Sequence, residues 1–317
     1  MNVLVVGGAG YVGGALTDLL AKTSHEVRVY DALVYEESYL KPVDFVRGDV
    51  RDLARLRPHL AWADAVVWLA ALVGDGACEL DPKAAVAVNQ DAVRSLVSEF
   101  PRRIVFTSTC SVYGAQAGEL DENAPTRPLS VYASTKLAAE GYLEDSDAVI
   151  FRLGTLFGVG DAFSRVRLDL VLNTLTVRAH QRGRIEVKGG EQFRPLLHVR
   201  DVAKAILAAL ASQVRGVFNL HRQNVRILDL AHQVRCHFPG ITLDVLPSDP
   251  VGDPRDYRVT SKRAELALDF KPTATIDQAI DELRALLDAG RLKDPDLPRY
   301  SNQRHLSGLA RVGERIT

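Results

Sequence analysis

The sequence is short of cysteine, with only Cys78, Cys110 and Cys236 in 317 residues. None has CxxC spacing, so neither a disulfide framework nor a metal site is expected. Net charge is also scarce: 39 Lys and Arg against 40 Asp and Glu leave −1. Nothing in that balance draws the molecule as a whole to nucleic acid or to an anionic membrane. Apolar runs are short of the ~18 residues that a membrane span needs. The longest, at 63–73, is interrupted by Asp64. No basic stretch precedes the first apolar run, so a secretory signal is not expected. Gly/Ser linkers, repeats and low-complexity tracts are missing too. What is present, 47% apolar and 25% charged residues, is the composition of a globular chain. A reduced, cytoplasmic protein is expected, and the length suggests about two domains of ~150 residues.

The first half alternates apolar β-type runs with helical ones. Strands are expected at 2–6, 26–30, 43–47, 65–69, 103–107 and 148–153. Helices are expected at 11–22, at 51–60 (ending near Pro58), at 82–100 and at 130–144. Strands that are apolar throughout and separated by helices mark a parallel sheet covered on both faces. The expected class is therefore α/β, a Rossmann-type doubly wound parallel sheet with a smaller α+β substrate-binding lobe. Residues 1–160 are expected to form the sheet domain. Residues 161–290 are expected to form mainly the lobe, with segments crossing back to the sheet, and residues 291–317 an extended tail. In the lobe, helices are expected at 164–182, 201–212, 227–238 and 276–289. Strands are expected there at 184–187, 195–199, 216–220 and 241–246.

The strongest local signal is GGAGYVG at 7–13, which follows a strand and opens a helix. Gly7, Gly10 and Gly13 allow a tight turn and close approach of backbone to a pyrophosphate. The N–H groups of Tyr11, Val12 and Gly13 then face that anion. Asp31 closes the second strand, where a carboxylate binds both hydroxyls of an adenine ribose and repels a 2′-phosphate. No Arg or Lys follows it closely, so NAD is the expected cofactor rather than its phosphorylated form. Asp49 and Val50 follow the third strand, at the place for an adenine edge.

Tyr132 and Lys136 lie four residues apart on an expected helix and so share a face. A nearby ammonium is expected to lower the phenol's pKa from ~10. Such a tyrosine can take the proton of a sugar hydroxyl while hydride leaves the same carbon.

These pieces, with GDVRD at 48–52, LAA at 69–71, Asn89, TSTCSVYG at 107–114, RLGTLFG at 152–158 and RPLLHVRDVA at 194–203, resemble the extended short-chain dehydrogenase/reductase family. The resemblance is to its NAD-dependent nucleotide-sugar epimerase/dehydratase branch and spans about residues 1–290. It implies Thr109 as the hydroxyl that hydrogen-bonds the reacting oxygen and Tyr132 as the base. It implies Lys136 as the residue that holds the nicotinamide ribose. Leu69, Ala70, Ala71 and Thr107 would lie beside the cofactor, and Asn89 near the active site. Arg194, and with it Arg255, would pair with the diphosphate of a nucleotide-sugar substrate. The resemblance also implies a homodimer formed through the helices at 82–100 and 130–144.

Three positions depart from the family pattern. Trp68 replaces a histidine, Thr155 replaces an asparagine, and Cys110-Ser111 replace an Asp-Glu pair. Cysteine and serine cannot stand in for that carboxylate pair at pH 7, so 4,6-dehydration is disfavoured. Cys110 reads as a small buried residue and His198 as structural. The expected reaction is epimerisation at C4 through a 4-keto sugar. A nucleotide-sugar ketoreductase or dehydrogenase using the same triad is the alternative. A non-catalytic NAD-binding regulatory protein is the alternative of another class.

Overall fold

The computed structural model describes residues 1–161, 163, 165–248 and 255–311. A seven-stranded parallel sheet runs through its centre. In chain order the strands are β1 (Asn2–Val6), β2 (Glu26–Asp31), β3 (Asp44–Arg47), β4 (Ala65–Trp68), β5 (Arg103–Thr109), β6 (Ala148–Leu153) and β7 (Gly216–Leu220). In space they lie in the order β7-β6-β5-β4-β1-β2-β3.

Alternation along these strands explains why they read as apolar throughout. Leu4, Val6, Val66, Trp68, Ile104, Phe106 and Ile150 pack into one core layer. Val3, Val5, Val67, Val105, Val149 and Phe151 pack into the layer on the opposite face. Both faces are covered by helices, so neither needs polar side chains. The order reverses between β1 and β4, and such switch points open a crevice at the carboxyl ends of the strands.

The lobe is built on smaller sheets. One has Phe193–His198 between Thr155–Phe157 and Gln223–Arg226. A second pairs Arg184–Lys188 with Thr242–Leu246, and a third pairs Glu119–Leu120 with Arg258–Val259. Helices Val171–Arg182, Ile227–Cys236 and Ile276–Asp288 close the lobe core around Phe157, Leu172, Leu196, Leu230 and Ile280.

The strand Gly216–Leu220, from within residues 161–290, lies in the main sheet, where its N–H and C=O groups extend the ladder beside β6. Several elements differ from the sequence reading. The expected helix 82–100 is broken into Pro82–Val86 and Ala92–Glu99 by a π-turn at Ala87–Asp91. Asp75–Leu80 forms a further short helix. The helix expected from Ser164 starts at Val171, and Ser164 itself lies outside the described residues.

Pro58 sits inside the helix Leu53–Trp62 rather than ending it. That helix is anchored by the Asp52 cap and by the buried Leu56 and Leu60. The tail is not extended as expected: a 3₁₀ turn at Pro298–Tyr300 leads into a helix, Asn302–Arg311. Leu306 is fully buried in the core layer that also holds Ala77 and Cys78. Leu306 and Leu309 are its only large apolar residues, a single pair that leaves little periodicity to read.

Candidate active site

One cavity of about 570 Å³ runs along the carboxyl edge of the sheet and into the lobe. Its size suits a small-molecule ligand site. Every site residue expected from the sequence lines it except Asn89.

The glycine turn forms one stretch of wall. Gly7 adopts φ +85° and donates its N–H to the carbonyl of Tyr30 at 2.8 Å. A Cβ on Gly7 would fall 2.4 Å from the nitrogen of Ala70, so only glycine lets the turn close on the Leu69–Ala71 segment. A Cβ on Gly13 would fall 2.5 Å from Gly8, which holds the helix Tyr11–Leu20 close to the turn. That helix has no side-chain cap and no acid in its first turn. Its leading N–H groups are therefore available to an anion. The Asp31 carboxylate accepts the N–H groups of Ala9 at 3.0 Å and Leu33 at 2.8 Å. Burial pushes its pKa up, while those two N–H groups pull it down. Asp49 is paired to Arg51 at 2.5 Å, and Val50 is buried beside it. A glycine cradle that a Cβ would fill, an open helix end and a held carboxylate together fit a dinucleotide.

The middle of the cavity holds the hydroxyl and amine chemistry. Thr109 ends β5, and its Oγ1 accepts the N–H of Ser111 at 3.1 Å, capping the turn Cys110–Tyr113. Tyr132 and Lys136 stand one turn apart on the helix Val131–Leu143, which Ser130 caps through the N–H of Ala133. Lys136 is 2% exposed, with its Nζ 4.3 Å from the centre of the Phe106 ring. Thr107 lies on the same strand, its hydroxyl directed at the carbonyl of Trp68 at 3.4 Å.

The expected lowering of the Tyr132 phenol by Lys136 is not what these surroundings produce. Burial is the largest influence on both groups and disfavours both charges. It raises the phenol above its usual value and brings the lysine down to about 7. Against that burial, the charge that pulls the phenol down is that of Arg167.

A buried frame stands behind this chemistry. Arg152 meets Glu140 at 2.7 Å and donates to the Tyr113 hydroxyl at 2.9 Å. Tyr113 in turn donates to Asn219 at 2.8 Å, and Ser108 hydrogen-bonds Glu140. The frame joins β5, β6, β7 and the Tyr132 helix into one unit. Asn89, set in the π-turn, lies behind the cavity wall and bonds Leu72 and Thr135.

Toward the lobe, Arg194 is 6% exposed and donates to the carbonyls of Phe193 (2.8 Å) and Arg255. Arg255 meets Asp75 at 2.9 Å and the Ser111 hydroxyl at 3.4 Å. The fold therefore sets side by side two arginines that the sequence separates by 61 residues.

The departures from the family pattern also find places. Trp68 is fully buried in the core and does not line the cavity, so it acts through packing. Cys110 is buried, and its thiol donates to the carbonyl of Arg152 at 3.2 Å. Burial pushes that thiol well above its usual value. His198 is buried, with Nδ1 accepting the N–H of Arg200 at 3.1 Å, and burial lowers it to about 4. Thr155 faces the cavity.

Sequence reasoning missed Tyr35, Arg165, Arg167, Tyr257 and Asn302, all of which line the same cavity. The run Arg165-Val166-Arg167 directly before a helix was the one available signal. Asn302 had none.

The sequence of the family described as "NAD dependent epimerase/dehydratase family" matches residues 3–220. A UDP-glucose 4-epimerase of Corynebacterium glutamicum is 28% identical over 87% of this chain and 92% of its own. One from Streptomyces lividans is 31% identical over 65% of this chain and 70% of its own. The solved structure of MoeE5 in complex with UDP-glucose and NAD superposes with a TM-score of 0.78. It is 26% identical and covers 92% of this chain and 100% of that one. With its glycine turn, paired tyrosine and lysine and single parallel sheet covered on both faces, this chain belongs to the NAD dependent epimerase/dehydratase family.

Proposed function

We propose that the protein is an NAD-dependent epimerase of a nucleotide-diphosphate sugar, acting at C4 through a transient 4-keto sugar. One observation carries this reading. A single cavity joins a dinucleotide cradle at Gly7–Gly13, the group Thr109, Tyr132 and Lys136, and the pair Arg194 and Arg255. The relatives named as UDP-glucose 4-epimerases point to the same chemistry.

NAD, when bound, supplies a hydride acceptor and then a hydride donor at one sugar carbon. The chain's own residues do the rest. Tyr132 Oη takes the proton of the sugar 4-hydroxyl and later returns it to the reduced oxygen. Thr109 holds that oxygen with a hydrogen bond in both directions of the reaction. Lys136 binds the ribose next to the reacting ring, and Asp31 holds the adenine ribose. Leu69–Ala71 form the apolar wall that keeps water from the site. Arg194 and Arg255 fix the substrate diphosphate while the keto sugar turns over to present its other face.

Positions 110 and 111 contribute a buried thiol and a hydroxyl rather than carboxyl groups, which speaks against 4,6-dehydration. The same reading includes a cytoplasmic homodimer, paired through the outward faces of the helices Ala92–Glu99 and Val131–Leu143. No helix among the described residues is long and apolar enough to cross a membrane.

The test is to incubate the purified protein with UDP-, GDP-, CDP- and dTDP-sugars and read sugar configuration by NMR. Interconversion of two C4 epimers with no net change in NADH absorbance supports the reading. Net NADH turnover indicates a reductase or dehydrogenase instead. Light scattering of the same sample reads the dimer.

A further inference from the structure

Two buried donors in the cavity wall have no partner among the described residues: Nη2 of Arg165 and the hydroxyl of Tyr35. They belong to neighbouring groups. The Arg165 guanidinium lies 3.9 Å from the centre of the Tyr35 ring, and both residues line the cavity. Arg165 is 5% exposed. Its other nitrogens are committed, Nε to the carbonyl of Arg299 at 2.8 Å and Nη1 to Oδ1 of Asn302 at 2.5 Å.

Charge in this patch is unbalanced. Arg167, two residues on, has its own carboxylate in Asp169 at 3.0 Å. The nearby Glu36 is taken by Arg299 at 2.6 Å. No described carboxylate is bonded to Arg165. Leaving a buried charged donor without an acceptor is costly, and here a cationic donor and a hydroxyl donor are left open together. A ligand with anionic oxygens accounts for both. Tyr35, Arg165 and Arg167 line the same cavity as the glycine turn and Tyr132.

We infer that Arg165 and Tyr35 form a binding site for a diphosphate group, with Arg167 as a second positive charge and Asn302 with the Arg299 carbonyl as the holders of the Arg165 fork. A planar guanidinium with one free edge suits a phosphate oxygen better than a point charge does. The inference rests on the function proposed above, in which both ligands, the dinucleotide and the nucleotide sugar, carry a diphosphate.

The test is calorimetric titration of the full chain, freed of bound nucleotide, with NAD⁺ and separately with UDP. Wild type, Arg165→Gln and Tyr35→Phe are compared, with a thermal melt of each. Loss of a hydrogen bond to a charged group predicts ~10–100-fold weaker binding of one ligand in Arg165→Gln and a loss of several-fold in Tyr35→Phe. Weaker NAD⁺ binding with UDP unchanged assigns the site to the cofactor diphosphate. The converse assigns it to the substrate, and both results support the site. Unchanged affinity for both ligands in Tyr35→Phe and in a folded Arg165→Gln overturns it. If Arg165→Gln does not fold, Tyr35→Phe decides alone, because it removes only the hydroxyl. A wild-type chain that binds neither NAD⁺ nor UDP overturns the proposed function itself, and the site with it.

Discussion

Asn89 holds both backbone groups of Leu72: its Oδ1 accepts the Leu72 N–H at 2.8 Å, and its Nδ2 donates to the Leu72 carbonyl at 3.0 Å. The same Nδ2 reaches Oγ1 of Thr135 at 3.2 Å, next to Lys136 on the catalytic helix. The asparagine thus ties the segment after β4 to the helix that carries Tyr132. It is fully buried, so its loss strands the Leu72 N–H away from water and leaves the Leu72 carbonyl only the Cys78 thiol at 3.2 Å. Asn89→Ala is expected to cost about 1–3 kcal/mol for the stranded group, read by urea unfolding. It is also expected to weaken NAD⁺ binding, because Leu69–Leu72 line the cavity. A variant with wild-type unfolding and wild-type affinity would remove this positioning role.

Tyr132→Phe deletes one oxygen from a side chain that makes no hydrogen bond to the described residues needed for folding. Removal of a general acid–base group costs about 10²–10⁴-fold in rate. Turnover should fall by that factor, while the melting temperature and NAD⁺ affinity stay near wild type. Turnover that survives the change would falsify the role of Tyr132 as base.

Much of this site was legible in the sequence because its parts sit at strand ends. Gly7, Asp31, Leu69 and Thr109 each follow an apolar run whose end is easy to place, and the parallel sheet brings those ends to one edge. Tyr132 and Lys136 share a face through helical spacing alone. The unread part comes from long-range packing. Asn302 reaches the cavity through hydrogen bonds to Val73 and Asp169, which no local pattern announces. The π-turn at Ala87–Asp91 contains the buried Asn89 and neither glycine nor proline, so no helix-breaking residue marks it. Gly216–Leu220 reads as another short strand, and only pairing with β6 places it in the main sheet. The electrostatics were read with the wrong sign at Tyr132, since spacing reveals a neighbouring charge but not the depth of burial that outweighs it.

Lys136 carries a pH signature. Its folded value of about 7 lies well below the ordinary 10.5, so between these values the unfolded chain binds more protons than the folded one. Stability then rises with pH across that window. In the protein freed of nucleotide, melting temperature is expected to climb from pH 7 toward pH 9 by more in wild type than in Lys136→Met. The methionine removes the titrating group and keeps the buried stem. Parallel curves for the two proteins would contradict the burial of an uncompensated ammonium.

His198 acts in the opposite half of the pH scale. Its folded value of about 4 lies below the ordinary 6.5, with burial as the first cause and the Arg200 charge as the second. The unfolded chain again binds more protons within that window, so stability is lost as pH falls from about 6.5 to about 4. Asp201 and Lys204 also act on the ring, in opposing directions. His198→Asn keeps an acceptor for the Arg200 N–H but has no proton to gain. Its urea midpoint should fall less between pH 7 and pH 5 than that of wild type. His221, also lowered to about 4 by burial, contributes in the same direction and remains in both proteins.

The C-terminal helix is held by little and touches much. Leu306 is the one fully buried side chain among those described in it, while His305 meets the carbonyl of Val34 at 2.8 Å and Asn302 that of Val73 at 2.8 Å. Segments with few buried apolar contacts open before the rest of a structure. Leu306→Ala removes the main apolar contact, a change that costs about 2–5 kcal/mol at buried leucines. Amide exchange across 302–311 should therefore speed up by one to several orders of magnitude, while exchange in β1, β4 and β5 stays at the wild-type rate. Because Arg165 takes two of its partners from Arg299 and Asn302, the same variant should also weaken binding of whichever ligand, NAD⁺ or UDP, loses affinity in Arg165→Gln. Uniform acceleration over the whole chain would instead mean that the tail helix is part of the cooperative core and not a separately opening clasp on the cavity.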